Sequence, residues 1–417
     1  FIDYSLTRNL RYSPEKFNLD RMNAFMELIG NPHHEYPIIH VAGTKGKGST
    51  AAFMTSALQA AGYRVGLYTS PHLIDFTERI QVNRVSITPE DIVALVEEFK
   101  PVIEKVDRIT TFELTTALSL LYFSLQKVDI AIVEVGLGGR LDATNVVDSM
   151  VSVITSISYD HVAVLGDTLA KIASEKAGII KEGRPVVVSP QKTEAGRVIE
   201  GVAHEKNAPM TRVGEEYLFA SWSHSLWGQT MLVWGAEEQS LVNEFIESGG
   251  RDTWEPLRLN IPLLGYHQVE NAATAYAALQ IARKEGIAIS EQDIRTGFSK
   301  VNWPGRFEVL RKNPPLIIDS AHNQDSAFKL RLALGDYLPG QKVILLFGGS
   351  EDKDIESMFA ALRPFVREVI ATKTVHPRAM DPYELEEIVH KFGCPVQVVE
   401  PIEDAMERAL ALAGSDV

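Results

Sequence analysis

The 417-residue chain carries 55 acidic against 41 basic side chains, a formal charge of −14 at pH 7. That surplus of acid argues against a nucleic-acid partner, but not against small anionic ligands, which need only a few local donors. The composition, 45% hydrophobic and 23% charged, is that of a globular protein with two or three domains, and excludes disorder, collagen and coiled coil as descriptions of the whole.

The opening FIDYSLTRNL has neither the basic start nor the apolar run of a signal peptide, and it lacks an initiator Met, so trimming upstream is expected. Cys394, the single cysteine, forbids an intrachain disulfide and fits a reducing compartment. No run approaches the ~20 apolar residues that span a bilayer, so the expectation is a cytoplasmic protein with no membrane partner.

Short β-branched runs at 38–42, 64–69, 129–135, 151–157 and 185–189 alternate with helical patterns at 50–61, 89–106, 115–126 and 169–180. Such alternation predicts an α/β domain built on a parallel sheet covered on both faces. Residues 217–262 read differently. They hold four of the five tryptophans, several glycines and alternating patches, which predicts an antiparallel β excursion. Helical pattern resumes at 269–284 and 291–298, and NWPGRFE at 302–308 reads as a link. A second α/β series follows, with strands expected at 316–319, 343–347, 368–372 and 396–400. The expected division is a domain over 1–300 including the excursion, a linker at 301–308, and a smaller Rossmann-like domain over 309–417.

Residues 38–50 read IIHVAGTKGKGST: strand, glycine-rich loop, helix. Such a loop turns backbone N–H groups toward an anion, and the helix N-terminus adds a favourable dipole. Lys47 would reach the outer phosphates of a nucleotide, and Ser49 or Thr50 its metal. The strict P-loop pattern is not met, since Val41 stands at the first glycine and Gly48 follows Lys47. A strand before, a helix after and a lysine between two glycines still favour phosphate over a plain glycine turn. The run Gly136–Gly139 also touches a dinucleotide fingerprint, but it lacks the third glycine and carries little weight.

The loop GTKGKGS resembles that of folylpolyglutamate synthases and dihydrofolate synthases, members of the Mur ligase superfamily, with Lys45 where that family usually has Asn. The resemblance continues in order along the chain: LIGNPH at 28–33, TSPHL at 69–73, Glu78-Arg79-Ile80, FELTTA at 112–117, EVGLGGRLDATN at 134–145, Asp160-His161, EKAGIIK at 175–181, GYHQVEN at 265–271, PGRFE at 304–308, DSAHN at 319–323 and Asp352-Lys353-Asp354. It implies a P-loop-containing parallel-sheet ATPase domain followed by a Rossmann-like domain. The family continues beyond a segment like Ser415-Asp416-Val417 into a further strand, so the last domain is expected to be truncated at its end.

The same resemblance implies ATP and Mg²⁺ as cofactors, with folate or dihydropteroate and L-glutamate as substrates and a monomeric enzyme. The nucleotide would meet Gly43, Thr44, Gly46, Lys47, Gly48 and Ser49, with Asn271 at the adenine, Arg306 at the phosphates, Asp319 at the ribose or the linker, and His322 at the cleft. Ser70, Glu134 and His161 would hold one magnesium, Ser49 would serve the nucleotide metal, and Lys176, carbamylated, would bridge to the second. Lys47, His161 and Lys176 are the expected catalytic groups. Taken on their residues alone, several positions keep a plainer reading. Glu134 is a strand-end carboxylate paired with Arg140, His161 a loop histidine, Lys176 an exposed helix lysine, Arg306 a linker salt bridge and Asn271 a helix cap.

The implied reaction is ATP-dependent ligation of L-glutamate to a folate or dihydropteroate carboxylate through an acyl phosphate, with release of ADP and phosphate. Two alternatives are weighed beside it. A peptidoglycan-precursor Mur ligase usually carries a separate domain ahead of its phosphate loop, and only 42 residues precede Gly43. A non-catalytic nucleotide-binding regulator would have no need of Lys47, Ser70, Glu134, His161 and Lys176 together.

Overall fold

The computed structural model describes residues 18–251, 253–374 and 376–414. The expectations for the opening segment and for Ser415-Asp416-Val417 lie outside the described residues. The chain divides into two compact units. The first comprises the chain up to Ser223 with Gln229–Pro262 and Gln268–Trp303; the second comprises His224–Gly228, Leu263–His267 and the chain from Pro304.

The first unit is built on eight strands: β1 Ile38–Ala42, β2 Val65–Tyr68, β3 Ile80–Val82, β4 Val85–Ser86, β5 Ile130–Glu134, β6 Val151–Ile154, β7 Val186–Val188 and β8 Met210–Arg212. They lie in the order β4-β3-β2-β5-β1-β6-β7-β8. From β2 to β8 every pair is parallel. Each residue of β1, β5 and β6 is buried, which is why these strands read as mainly apolar runs with only His40, Glu134 and Ser152 polar. The sheet is mixed rather than wholly parallel, because β3 and β4 run antiparallel at one edge. The cause is local. Asn83 and Arg84 both take positive φ, 52° and 64°, giving the tight two-residue turn that folds a strand back on itself.

The helices Lys47–Ala60, Pro89–Ile103, Thr111–Leu125, Leu169–Ala177 and Thr193–Glu205 connect these strands. They close two cores, one around Met22, Phe25, Phe99 and Phe123, the other around Ile154, Ile172, Val186 and Ile199. Beyond β8 come β9 Tyr217–Ser225, β10 Gly228–Gly235 and β11 Leu257–Ile261, in the order β11-β10-β9, with β10 and β11 antiparallel. A helix, Gln239–Glu247, interrupts them and packs Val242 and Phe245 against Leu232 and Trp234. Its short amphipathic pattern is lost among the polar residues around it.

In the second unit β14 Val343–Phe347, β15 Val366–Ala371 and β16 Val396–Val398 form a parallel sheet. The expected first strand of this series is placed differently. The strand Pro315–Ile318 (β13) pairs antiparallel with Glu308–Lys312 (β12) in a hairpin of its own. Only Asn313 and Pro314 separate the two strands, and so short a connection cannot make the crossover that a parallel pair needs.

Candidate active site

The phosphate loop, Ser70, Glu134 and Asp160-His161 follow β1, β2, β5 and β6, four neighbouring parallel strands. All therefore gather at the carboxyl edge of the sheet, where open α/β folds bind their ligands.

The loop itself is shaped by close packing. Gly46 sits at φ +91°, and a Cβ there would fall 2.1 Å from Asn271 Oδ1; a Cβ on Gly48 would fall 2.6 Å from the Trp303 ring. Lys47, Gly48 and Ser49 open the helix Lys47–Ala60, and no side chain caps it. The first amides of an α-helix have no acceptor within the helix, so this end presents N–H groups suited to an anion. Thr44 contributes otherwise. Its amide and that of Lys45 donate to the Ser156 carbonyl at 2.9 and 3.1 Å, and its hydroxyl donates to the Ser158 carbonyl at 3.1 Å. Thr44 thus holds the loop against the segment after β6. Gly43 approaches the same segment, since a Cβ on it would meet Thr155.

Three charged groups converge at the base of the loop. The Lys47 ammonium donates to the Gly43 carbonyl at 3.2 Å and stands 3.8 Å from Glu134 Oε1. Lys176 donates to the same Gly43 carbonyl at 3.0 Å. Glu134 Oε2 accepts the amide of Ser70 at 3.2 Å. Lys176 is 5% exposed, so it is not the solvated helix lysine of the plainer reading. Burial first, then the Lys47 charge, pushes its ammonium down to about 7, against the opposing pull of Asp160 and Asp142. Arg140, the partner of Glu134 in the plainer reading, binds Glu175 at 2.8 Å.

Asp160 lies between the phosphate loop and His161. Its Oδ2 takes the Lys45 ammonium at 3.0 Å and its Oδ1 accepts the His161 amide at 3.0 Å. His161, at φ +49°, begins the short helix Val162–Leu165 with its ring half exposed. Among the described residues no three of His, Cys, Asp and Glu converge as a metal cluster. The donors still suit a hard cation: Glu134 is a carboxylate at the ligand edge, and the Lys47 ammonium beside it already stands as a cation against its oxygen.

Asn271 lies within the helix Tyr266–Lys284 rather than at its cap, buried, with Nδ2 donating to Gln268 Oε1 at 3.0 Å. In the second unit, Asp319 accepts the amides of Phe307 and Ala321, both at 2.8 Å. Its carboxylate therefore supports the PGRFE segment, the second of its two expected roles. Burial pushes its carboxyl up. Arg306 donates to the Gly305 carbonyl at 3.0 Å rather than to an acid. That carbonyl also accepts the Ser320 amide and hydroxyl, at 3.0 and 2.9 Å. His322, exposed, contacts the Ser320 carbonyl through Nδ1 at 2.9 Å.

Comparison with known proteins places this arrangement. The Mur ligase middle domain matches residues 41–279, and the Mur ligase glutamate ligase domain matches residues 305–417. The dihydrofolate synthase/folylpolyglutamate synthase of Bacillus subtilis is 38% identical over 400 residues, covering 93% of this chain and 89% of that protein. The chain belongs to the folylpolyglutamate synthase/dihydrofolate synthase family of Mur ligases. A structure of Mycobacterium tuberculosis folylpolyglutamate synthase complexed with ADP and AMPPCP superposes with a TM-score of 0.84 at 32% identity, covering 96% of this chain and 90% of that one. A structure of E. coli FolC in complex with DHPP and ADP gives 0.80 at 32% identity, covering 97% and 89%. The α/β architecture, the ligase class and the use of ATP expected from sequence agree with this membership, and no helix among the described residues is long and apolar enough to cross a membrane.

Several family motifs prove to be scaffolding around the site. Glu78 accepts the amides of Leu73, Ile74 and Asp75, holding the loop that follows Ser70. Glu113 of FELTTA closes a capping box with Thr110 and binds Arg21 at 3.0 Å. Gly136 lies against the Phe112 ring, where a Cβ would come within 2.3 Å, so the glycine run serves close packing rather than a dinucleotide. Sequence reasoning missed Trp303 and the bond from Lys45 to Asp160. The departure from Asn at 45 was the signal for the second; the first leaves none.

Proposed function

We propose that this family member joins L-glutamate to the carboxylate of a folate or dihydropteroate at the expense of ATP. The observation that carries the reading is the uncapped helix N-terminus at Lys47, with the Lys47 ammonium between the Gly43 carbonyl and Glu134. The site offers donors to a polyphosphate and a carboxylate to a cation, side by side.

The substrate carboxylate attacks the γ-phosphorus of ATP, giving an acyl phosphate and ADP. The neutral amino group of glutamate attacks the acyl carbon, an amide bond forms, phosphate leaves with the C–O electron pair, and the amine proton passes to solvent. Both steps gather negative charge on phosphoryl and carbonyl oxygens, so positioning and electrostatic stabilisation dominate. Lys47 and the amides of Gly46, Lys47, Gly48 and Ser49 would supply that stabilisation, and Arg306 is the further cation of this reading. Ser70, Glu134 and His161 would hold Mg²⁺, and Ser49 the magnesium of the nucleotide. Bound there, the ion would neutralise phosphate charge. Lys176, neutral in appreciable fraction near pH 7, can add carbon dioxide through its amine nitrogen and lose a proton to solvent, and the resulting carbamate would be an anionic oxygen ligand for a second ion. Asn271, against Gly46, would border the adenine, and His322 would serve the nucleotide or the incoming glutamate. The enzyme acts as a cytoplasmic monomer in this reading.

Assay with dihydropteroate and tetrahydrofolate side by side tests it. ADP release should require both L-glutamate and a pteridine acceptor, and the product should carry one added glutamyl group. Turnover that ignores either substrate would remove the reading.

A further inference from the structure

Lys45 lies in the glycine-rich loop after β1, and its side chain does not extend alone. Lys45 Nζ lies 3.0 Å from Asp160 Oδ2, with both side chains largely buried. The other oxygen of the same carboxylate accepts the His161 amide. Alongside run the bonds from the Thr44 and Lys45 amides to Ser156 and from the Thr44 hydroxyl to Ser158. The main chain of the phosphate loop is thus laced to residues 156–158, but His161 lies beyond the lacing, in a left-handed turn whose ring is half exposed. Its amide is held by Asp160, its carbonyl accepts the amides of Val164 and Leu165 at 2.8 and 2.9 Å, and Asp160 is held by Lys45.

We infer that Lys45 is a positioning residue. Through Asp160 it fixes the turn that carries His161 relative to the phosphate loop, so that the nucleotide end and the His161 end of the site are set by one ion pair. A one-sided surface pair would do little of this. Here both partners are largely out of solvent and each is tied by its backbone to a different strand end, β1 or β6. The inference rests on the ligase reading for its kinetic consequence, but its structural content stands without it.

The test uses the full-length protein with Lys45→Met, Lys45→Arg, Asp160→Asn and the double variant Lys45→Met/Asp160→Asn. Amide hydrogen exchange at residues 161–165 should quicken about tenfold or more in Lys45→Met and in Asp160→Asn alike, with no further gain in the double variant, as expected for two members of one link. In turnover, both single variants should lower kcat about tenfold while shifting ADP affinity in metal-free buffer by less than about twofold; Lys45→Arg should recover most of the loss. Independent, additive effects on exchange would overturn the inference. So would a large loss of ADP affinity in Lys45→Met that Asp160→Asn does not share, since Lys45 would then hold phosphate directly. A wild-type protein with no ligase activity would refute the proposed function, while the exchange comparison would still decide the role of Lys45.

Discussion

Lys47 and Lys176 donate to one oxygen, the carbonyl of Gly43, at 3.2 and 3.0 Å. Two ammonium groups on a shared acceptor repel each other, and one of them is buried. The simplest relief is loss of a proton from the buried member, and Lys176 is the one pushed down to about 7. Lys47 and Lys176 are therefore electrostatically coupled.

Replacement of Lys47 by Ala is expected to abolish ligation and leave the fold intact, because its ammonium acts on charge and not on core packing. Loss of turnover by ~100-fold or more, with unchanged circular dichroism, is the expected result. The same variant should raise the Lys176 pKa, which titration of a ¹³C-labelled lysine signal would report.

Lys176→Met is expected to stabilise the protein while inactivating it. The free amine titrates near 7 in the folded state, against an ordinary lysine value of 10.5. Below pH 7 both folded and unfolded states hold the proton, and burial of the charge costs on the order of a few kcal/mol. As pH rises from 7 towards 10.5 the folded state sheds the proton first, the unfolded state binds more, and the penalty fades. Thermal unfolding in carbon dioxide-free buffer should show the variant ahead of wild type by several degrees at pH 6, with the gap closing by pH 10.

Lys176 should carry a carbamate when the enzyme is supplied with bicarbonate and magnesium. A carbonyl resonance from ¹³C-bicarbonate, present in wild type and absent from Lys176→Met, is the expected observation. Lys176→Ala should be nearly inactive, with partial recovery on adding short carboxylates.

Gly46→Ala is expected to weaken ADP binding. The residue sits at φ +91°, where a side chain costs about 1 kcal/mol, and the new Cβ would displace Asn271. Calorimetry should show a loss of about fivefold or more, larger than for Ala in place of Gly62, which also has positive φ but has no atom within 4 Å of an added Cβ.

Much of the first unit was legible because its central strands are buried on both faces and therefore read as short apolar runs between glycine and polar punctuation. The loop at 43–49 was legible because a strand, a glycine turn and a helix follow one another without interruption. Glu134 and His161 were legible only as strand-end residues; which groups they meet depends on strand order, and neighbours such as β5 and β1 are separated by about ninety residues. Arg140 illustrates the limit, since it is six residues from Glu134 yet pairs with Glu175. The antiparallel edge at β3 and β4 was missed because the strands are three and two residues long, too short for a period. The β12–β13 hairpin was missed because its second strand resembles the buried strands that follow it. That Thr44 and Asp319 each bond to nearby backbone was not legible, because those partners come together only in the folded chain.

The central claim is that a substrate carboxylate is activated by phosphoryl transfer before the amine attacks. A folate or dihydropteroate acceptor labelled with oxygen-18 in its carboxylate, incubated with enzyme, ATP, magnesium and L-glutamate, tests this most directly. The account requires one labelled oxygen in the released phosphate for each glutamyl bond formed. Unlabelled phosphate accompanying normal product would contradict it.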